Sequence, residues 1–217
     1  MLRLSGINSA SVLLATALAG GCSWSFGQSF EGSVSVGESL QSNATLGQIA
    51  ANLASGASPG SYSLNNGFNI SFRGTLNTWK FFGNEFGYAY NRTNLNFAAL
   101  NPTGGSSASQ SLGGMSVHQG FYDFLGYVTP QGSRIRPFGA VGVHFSNYVP
   151  PGSSAQLGGG QNKFGIQYGG GIKVKISGPV GIRFDVHQFT NGKPFGLPGA
   201  SGWIRQTEVS AGVAFML

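Results

Sequence analysis

The chain has 217 residues and a formal net charge of +6, yet only 8% of its residues are charged. Soluble domains carry about 25% charged residues, and disordered chains lack the 41% hydrophobic content found here. The 37 glycines, the 12% aromatic content and the lack of a charged helical pattern argue against a helical bundle or a doubly wound α/β enzyme. The composition therefore predicts an all-β chain.

The N-terminal segment, residues 1–27, is predicted to be a secretory signal peptide. Arg3 precedes a short apolar run over residues 10–19, and small residues follow up to a cleavage position before Gln28. No later stretch reaches the 18 or so apolar residues that a membrane-spanning helix needs. We expect residues 28–217 to form an exported domain whose only route into a membrane is a β-barrel.

A second type of signal is compatible with the same segment. Residues 18–22 loosely resemble a lipoprotein signal, in which Cys22 would be lipidated. With cleavage before Gln28, by contrast, Cys22 is removed, and the exported protein has no cysteine and no disulfide.

The remaining sequence alternates between apolar and polar residues, the pattern of strands that present different faces to different surroundings. The clearest case is 163–176, which continues after the tight turn 177–179 into another alternating segment and so predicts a hairpin. Eight segments are predicted to be strands: 30–36, 68–73, 85–91, 115–128, 136–148, 163–176, 180–187 and 208–217.

The connections between these segments alternate in length. Long ones are expected over residues 39–65, 98–114, 149–161 and 190–202, and short ones over 76–83, 129–135 and 177–179. An even number of strands with short turns at one end and long loops at the other is typical of outer-membrane barrels. The predicted fold is an all-β, eight-stranded antiparallel up-and-down transmembrane β-barrel.

The first long connection contains the one helix-like pattern. Asn43 is a candidate N-cap and Gly56 a candidate stop, and between them apolar residues follow helical spacing at Leu46, Ile49, Ala50 and Leu53. We expect a short surface helix there.

The cost of charge in hydrocarbon assigns the two faces of the strands. An Arg or Lys facing lipid at the bilayer midplane costs about 2–4 kcal/mol, so the polar faces should line the lumen. A barrel of this size is filled by side chains, so we expect those charges to pair with one another. The predicted lumen network comprises Arg73, Lys173, Lys175, Arg183, Asp185, His187 and Glu208. The predicted lipid-facing residues are Phe164, Ile166, Ile172, Val180, Ile182, Phe184, Val186, Val213 and Phe215.

Two further sets are predicted to lie at the membrane boundaries. Lys80, Arg134 and Arg136 cluster at the short-turn rim, where anionic headgroups would explain them. An interfacial aromatic girdle is expected from residues near strand ends, namely Tyr88, Tyr90, Tyr148, Tyr168, Trp79 and Trp203.

With these features the chain resembles the small OmpA-type outer-membrane β-barrel superfamily of Gram-negative bacteria. The resemblance covers residues 30–217 and is carried by 136–143, 169–173, 180–186 and the closing strand. It implies location in the cell outer membrane, contact with outer-membrane lipids, insertion by the barrel-assembly machinery, and roles in envelope integrity, adhesion or surface contact. Such barrels usually end in an aromatic residue, whereas this chain ends Phe215-Met216-Leu217.

No segment predicts a catalytic, metal or cofactor site. Asp185 and His187 share a strand face with Arg183, which resembles part of an acid/base cluster but equally fits a lumen ion network. Some outer-membrane barrels are lipid A deacylases with a His and a nearby Ser at the lipid boundary, but no serine stands two places after His187, which should face the lumen. The exported chain lacks cysteine and His-x-x-His spacing, so no metal is expected.

The sequence thus predicts a monomeric, non-catalytic membrane barrel with a structural or surface-interaction role. Its long loops would contact a surface ligand of unknown identity. Because the Lys and Arg residues are dispersed, nucleic acid is not an expected partner. The alternatives are a narrow passive channel for small solutes, a lipid A-modifying enzyme, and a soluble periplasmic barrel of lipocalin type with its faces reversed.

Overall fold

The computed structural model describes residues 29–49, 59–99, 109–154 and 159–216. The predicted signal peptide, its cleavage before Gln28 and the alternative lipidation of Cys22 lie outside these ranges. The described residues form β-strands joined by turns and contain no helix with the length and apolar character to cross a membrane.

Ten strands are present in the described part of the chain. They are β1 (Ser29–Ser42), β2 (Thr45–Ile49), β3 (Gly60–Leu64), β4 (Gly67–Trp79), β5 (Phe82–Ala99), β6 (Ser109–Tyr127), β7 (Ile135–Val149), β8 (Gln161–Ser177), β9 (Val180–Gly192) and β10 (Trp203–Met216).

Eight of these strands close into a barrel in the order β1-β4-β5-β6-β7-β8-β9-β10, with every neighbouring pair antiparallel. The first and last strands complete the ring, with Val36 opposite Ala211, so the eight strands form a closed barrel. The predicted eight-stranded antiparallel up-and-down barrel is confirmed.

The two ends of the barrel differ in their connections. Short turns join β4 to β5, β6 to β7 and β8 to β9 at one end, which also holds the outer ends of β1 and β10, where Glu31 pairs with Met216. We call this the turn end. The opposite end, which carries the longer connections and the β2–β3 hairpin, is the loop end.

The helix predicted in the first long connection is wrong for its described part. Leu46 and Ile49 lie in β2, which pairs with β3, while Ala50 and Leu53 lie outside the described residues. β3 in turn pairs with the loop-end part of β5, from Gly60 opposite Ala99 to Leu64 opposite Leu95. The reason is that β5 runs past β4, and its exposed backbone edge recruits another strand.

The strands also extend further than predicted around the next connection. β5 reaches Ala99 and β6 begins at Ser109, so most of the expected loop over residues 98–114 that the structure describes is paired strand. An apolar cluster closes the loop end of the barrel and buries Leu46, Leu64, Met115, Val117, Tyr148 and Ile204.

Glycines on the inner face of β8 create space for large side chains from its neighbours. A Cβ atom at Gly165 would lie 2.6 Å from His144 Cε1, and one at Gly169 would lie 2.9 Å from His187 Cγ. These close approaches explain why two imidazoles fit inside so narrow a barrel.

Candidate functional site

The barrel interior is crossed by ionic side chains near the turn end. Glu31 on β1 accepts a hydrogen bond from Lys173 Nζ at 2.5 Å and lies 3.3 Å from Arg136 Nη1. Arg136 comes from β7, on the opposite side of the ring from β1. Its guanidinium also lies 3.6 Å from the centre of the Tyr127 ring, a cation–π contact. This first ionic layer therefore spans the lumen.

A second ionic layer lies one step further inside and is centred on Glu85. Its carboxylate accepts hydrogen bonds from Arg183 Nη1 and Nη2, at 2.5 and 2.8 Å, and one from Arg73 Nη1 at 3.2 Å. Thr75 Oγ1 donates to it at 2.6 Å, and Arg183 Nε binds Asp185 at 2.8–2.9 Å. All four charged side chains of this layer are buried.

Above the ionic layers, the interior is filled by amide groups around a single carboxylate. Asn91 Nδ2 donates to Gln119 Oε1 and to Glu208 Oε1, at 2.5 and 3.0 Å. Gln206 Nε2 donates to Glu208 Oε1 at 2.8 Å, and Asn69 Nδ2 donates to Asn91 Oδ1 at 3.0 Å. These amide groups and Glu208 are thus joined by hydrogen bonds, most of them between strands.

The histidine singled out by the sequence lies inside the barrel. His187 is fully buried, and its Nε2 atom is 3.6 Å from Asp185 Oδ1. Its ring is 6.5 Å from that of Phe189, also an interior residue. A residue that cleaves lipid must reach the outer surface, and His187 does not.

The structure places most of the predicted lumen residues in the interior. The six that are buried there are Arg73, Lys173, Arg183, Asp185, His187 and Glu208. Lys175 differs from the prediction. The alternation along β8 directs its side chain to the same face as Lys173, but the residue lies at the turn end of the strand, opposite Gly181, and is exposed. At the rim its ammonium reaches water, so the interior layers do not include it.

Glu31 stands on the polar face of its strand, and the face assignment correctly places it in the lumen with the predicted charges. Glu85 also stands on a polar face but is missing from the prediction, and the role of both as hubs depends on which strands lie opposite. Arg136 was assigned to the headgroup cluster, and that assignment is wrong because its side chain is buried between Glu31 and Tyr127. Lys80 and Arg134 are exposed at the turn end.

The outer surface of the barrel is apolar. All the residues predicted to face lipid point outward. Phe164 is 79% exposed and Ile172 is half-exposed. The others are 37–56% exposed, namely Ile166, Val180, Ile182, Phe184, Val186, Val213 and Phe215. Of the predicted girdle, Trp79 and Trp203 are exposed at opposite ends. Tyr148 is a correction: it is buried inside and donates to Asn191 Oδ1 at 3.0 Å.

An apolar recess opens at the loop end, beside the β2–β3 hairpin. Its volume is about 210 Å³, and its lining comprises Leu46, Ile49, Tyr62, Leu95, Pro150, Phe195 and Leu197. Phe195 has a left-handed backbone, with φ of 71°, and its N–H donates to the side chain of Gln161. A non-glycine residue held in this conformation is strained, so the loop is fixed in place by its surroundings.

Comparison with known proteins reveals similarity in structure alone. No family model and no curated protein matches the sequence. Among solved structures, the outer membrane protein OprG from Pseudomonas aeruginosa is similar, with a TM-score of 0.57, 9% identity, and coverage of 88% of this chain and 97% of OprG. Neisserial surface protein A has a TM-score of 0.49 and 14% identity, covering 87% of this chain and 98% of that protein. The chain therefore has the fold of a small eight-stranded outer membrane β-barrel protein.

Proposed function

We propose that the chain is an integral β-barrel protein of the outer membrane, with a structural and surface-interaction role and no catalytic activity. The observation that supports this is the reversed polarity of the barrel. Phe164 and Ile166 are exposed on the outside, while Arg183 and Glu85 are fully buried inside. Water-soluble proteins rarely expose contiguous apolar patches larger than a few hundred Å². A surface with this polarity is stable when it contacts lipid.

The height of the uncharged outer surface also suits a membrane. On β5, outward residues run from Phe82 at the turn end to Arg92, the first outward charge. These ten steps of about 3.3 Å, on a strand tilted by about 40°, rise about 25 Å. Outer-membrane barrels carry an apolar band about 25 Å tall. Since the chain closes its own ring through β1 and β10, a monomer suffices to span the bilayer.

The orientation follows from the unequal ends. Outer-membrane barrels place short turns in the periplasm and longer loops outside the cell. The β2–β3 hairpin and the apolar recess would then face the exterior. We assign the surface contact to this recess, because its lining is apolar and Ile49, Tyr62 and Phe195 are only half-buried, so that a partner would cover them.

A passive channel is less well supported by the interior. The Glu31–Arg136 and Glu85–Arg183 pairs both join opposite sides of the ring, so charged side chains cross the lumen at two levels. The apolar cluster at the loop end adds a third obstruction. The buried position of His187 likewise gives no support to lipid A modification.

Cell fractionation with gel mobility tests the proposal. The full chain is expressed in a Gram-negative host, the outer-membrane fraction is extracted with alkaline carbonate, and the pellet is run with and without boiling. We expect the protein to stay in the pellet and to shift in mobility on heating, with unchanged lipid A in the mass spectrum. A soluble periplasmic band would overturn the membrane assignment, and altered lipid A would overturn the non-catalytic role.

A further inference from the structure

A group of polar side chains stands on the outward face of β5 and β6, surrounded by apolar ones. Tyr88 Oη lies 2.6 Å from His118 Nδ1, and Tyr90 Oη lies 3.1 Å from Ser116 Oγ. Arg92 Nη1 donates to the same Ser116 oxygen at 2.7 Å. Tyr90 is directly opposite His118, and Arg92 directly opposite Ser116. We call these five residues the outward polar cluster.

The guanidinium of Arg92 has hydrogen-bonding capacity to spare. Only its Nη1 atom has a partner in the cluster, and no carboxylate lies within ion-pair distance in the described ranges. The group lies over Gly114, where a Cβ atom would come 2.4 Å from Nη2, so it rests on the barrel wall. Glu38 lies two strands away from Arg92, with Phe68 on the strand between them. At normal strand spacing the backbones of Glu38 and Arg92 are about 9–10 Å apart. Among the described residues, Arg92 is therefore an exposed cation with no carboxylate partner.

The surroundings of the cluster suggest where an anionic partner for Arg92 comes from. Toward the turn end, the wall beside His118 forms a hollow of about 490 Å³ at Gly120. Its outward lining is apolar and includes Tyr122, Val143, Phe145 and Phe164. The cluster thus places a positive charge and three hydroxyl groups on the loop-end side of an apolar hollow, with His118 between them, which matches the arrangement of a phosphate above an acyl chain.

We propose that the outward polar cluster binds the phosphate of a glycolipid in the outer leaflet. This inference rests on the proposed function, since it requires the barrel to cross the membrane with its loop end outside. Arg92 would bind two phosphate oxygens at once, the geometry that guanidinium groups favour. Tyr90 and Ser116 would donate hydroxyl hydrogen bonds, and an acyl chain would occupy the hollow at Gly120.

Lipid binding by the purified barrel tests the site. Wild type, Arg92→Gln, Arg92→Lys and Ser116→Ala are titrated in detergent with diphosphoryl lipid A, and bound lipid is counted by native mass spectrometry. Arg205→Gln is the matched control: Arg205 is an exposed outward arginine nearer the loop end, with no side-chain hydrogen bond in the part of the chain that the structure describes. The heat-dependent gel shift of each variant shows that it is folded.

We expect Arg92→Gln to weaken binding by about tenfold or more, because the charge-assisted hydrogen bonds from the guanidinium to the phosphate are lost. Arg92→Lys and Ser116→Ala should lose less, and Arg205→Gln should match wild type. Dephosphorylated lipid A should bind wild type as weakly as the phosphorylated lipid binds Arg92→Gln.

Three results would overturn the inference: equal binding by Arg92→Gln and wild type, equal binding of both lipids, or displacement of the lipid by millimolar inorganic phosphate, which would indicate a site for the free ion. The location of the protein, which cell fractionation measures, is judged independently of these binding results. A soluble protein whose Arg92 still discriminates phosphorylated lipid would refute the proposed location but not the phosphate chemistry of the site.

Discussion

Arg183 and Glu85 face each other across the diameter of the barrel. Arg183 lies on β9 and Glu85 on β5, with three strands between them on either side of the ring. Two hydrogen bonds of 2.5 and 2.8 Å join them, and neither side chain is exposed. Because Arg183 also binds Asp185, one guanidinium bridges two carboxylates and joins opposite walls, and Arg73 supplies the second positive charge of the layer.

Removal of this guanidinium should destabilise the barrel strongly. Breaking a buried ion pair by deleting one partner costs about 3–5 kcal/mol, because the other charge stays buried and unpaired. We expect Arg183→Met to lower the free energy of unfolding by about that amount, measured by urea titration of protein refolded in lipid vesicles. The control combines Arg183→Met with Asp185→Asn, which leaves Glu85 paired with Arg73 and should recover most of the loss. A single variant as stable as wild type would contradict a stabilising role for this layer.

A charge placed on the outward face should impair insertion of the barrel into the membrane. Val186 points away from the interior next to Asp185 and lies midway along β9, so Val186→Arg would expose a guanidinium to hydrocarbon at a cost of about 2–4 kcal/mol. We expect a clearly lower folded fraction in vesicles, read from the gel shift. Val128→Arg, at an exposed position in the turn between β6 and β7, is the control and should cost about 0–1 kcal/mol near the interface. Equal yields for both variants would argue against an outward lipid contact.

The interior layers should also set ion conductance. With charged side chains across the lumen at two levels, we expect wild type in planar bilayers to show little or no conductance. Simultaneous replacement of Glu85, Arg183 and Asp185 by alanine should raise it only slightly, because the second layer is removed while the Glu31–Arg136 pair and the apolar cluster at the loop end still obstruct the lumen. The control is Glu38→Ala with Arg205→Ala, two exposed outward residues. A steady open channel in wild type would instead favour the passive-channel alternative.

The loop-end hairpin should be separable from the barrel. β3 pairs with β5 only beyond Leu95, so the hairpin can open while the eight barrel strands stay paired. Leu46→Asp would place an unpaired carboxylate in the apolar cluster, at a cost of several kcal/mol. We expect faster hydrogen exchange in β2 and β3 but an unchanged heat-dependent gel shift. Gln48→Asp, exposed on the same strand, is the control. Loss of the gel shift in Leu46→Asp alone would show that the hairpin supports the barrel.

The sequence by itself determined the fold and the two faces of the wall. Residues 163–176 and 180–187 alternate strictly and are joined by a three-residue turn. Because so short a connection joins strands only when they are antiparallel neighbours, the sequence predicts a hairpin. The cost of exposing Arg183 to an apolar phase then decides which face points inward. These effects are local, since each depends on neighbours within one or two strands, and they can be read from a single chain.

The tertiary structure alone decided which interior groups meet. Glu31 and Arg136 are 105 residues apart, and Glu85 and Arg183 are 98 apart, so each pair depends on which strands closure places opposite. The alternation along a strand also does not determine how far a residue lies from the end of the barrel. Lys175 and Lys173 share one face of β8, but the strand passes the rim between them, and only Lys173 is buried. The hairpin formed by β2 and β3 likewise depends on the extended edge of β5, because helical spacing in a short segment is a weaker influence than backbone hydrogen bonds to an unpaired strand.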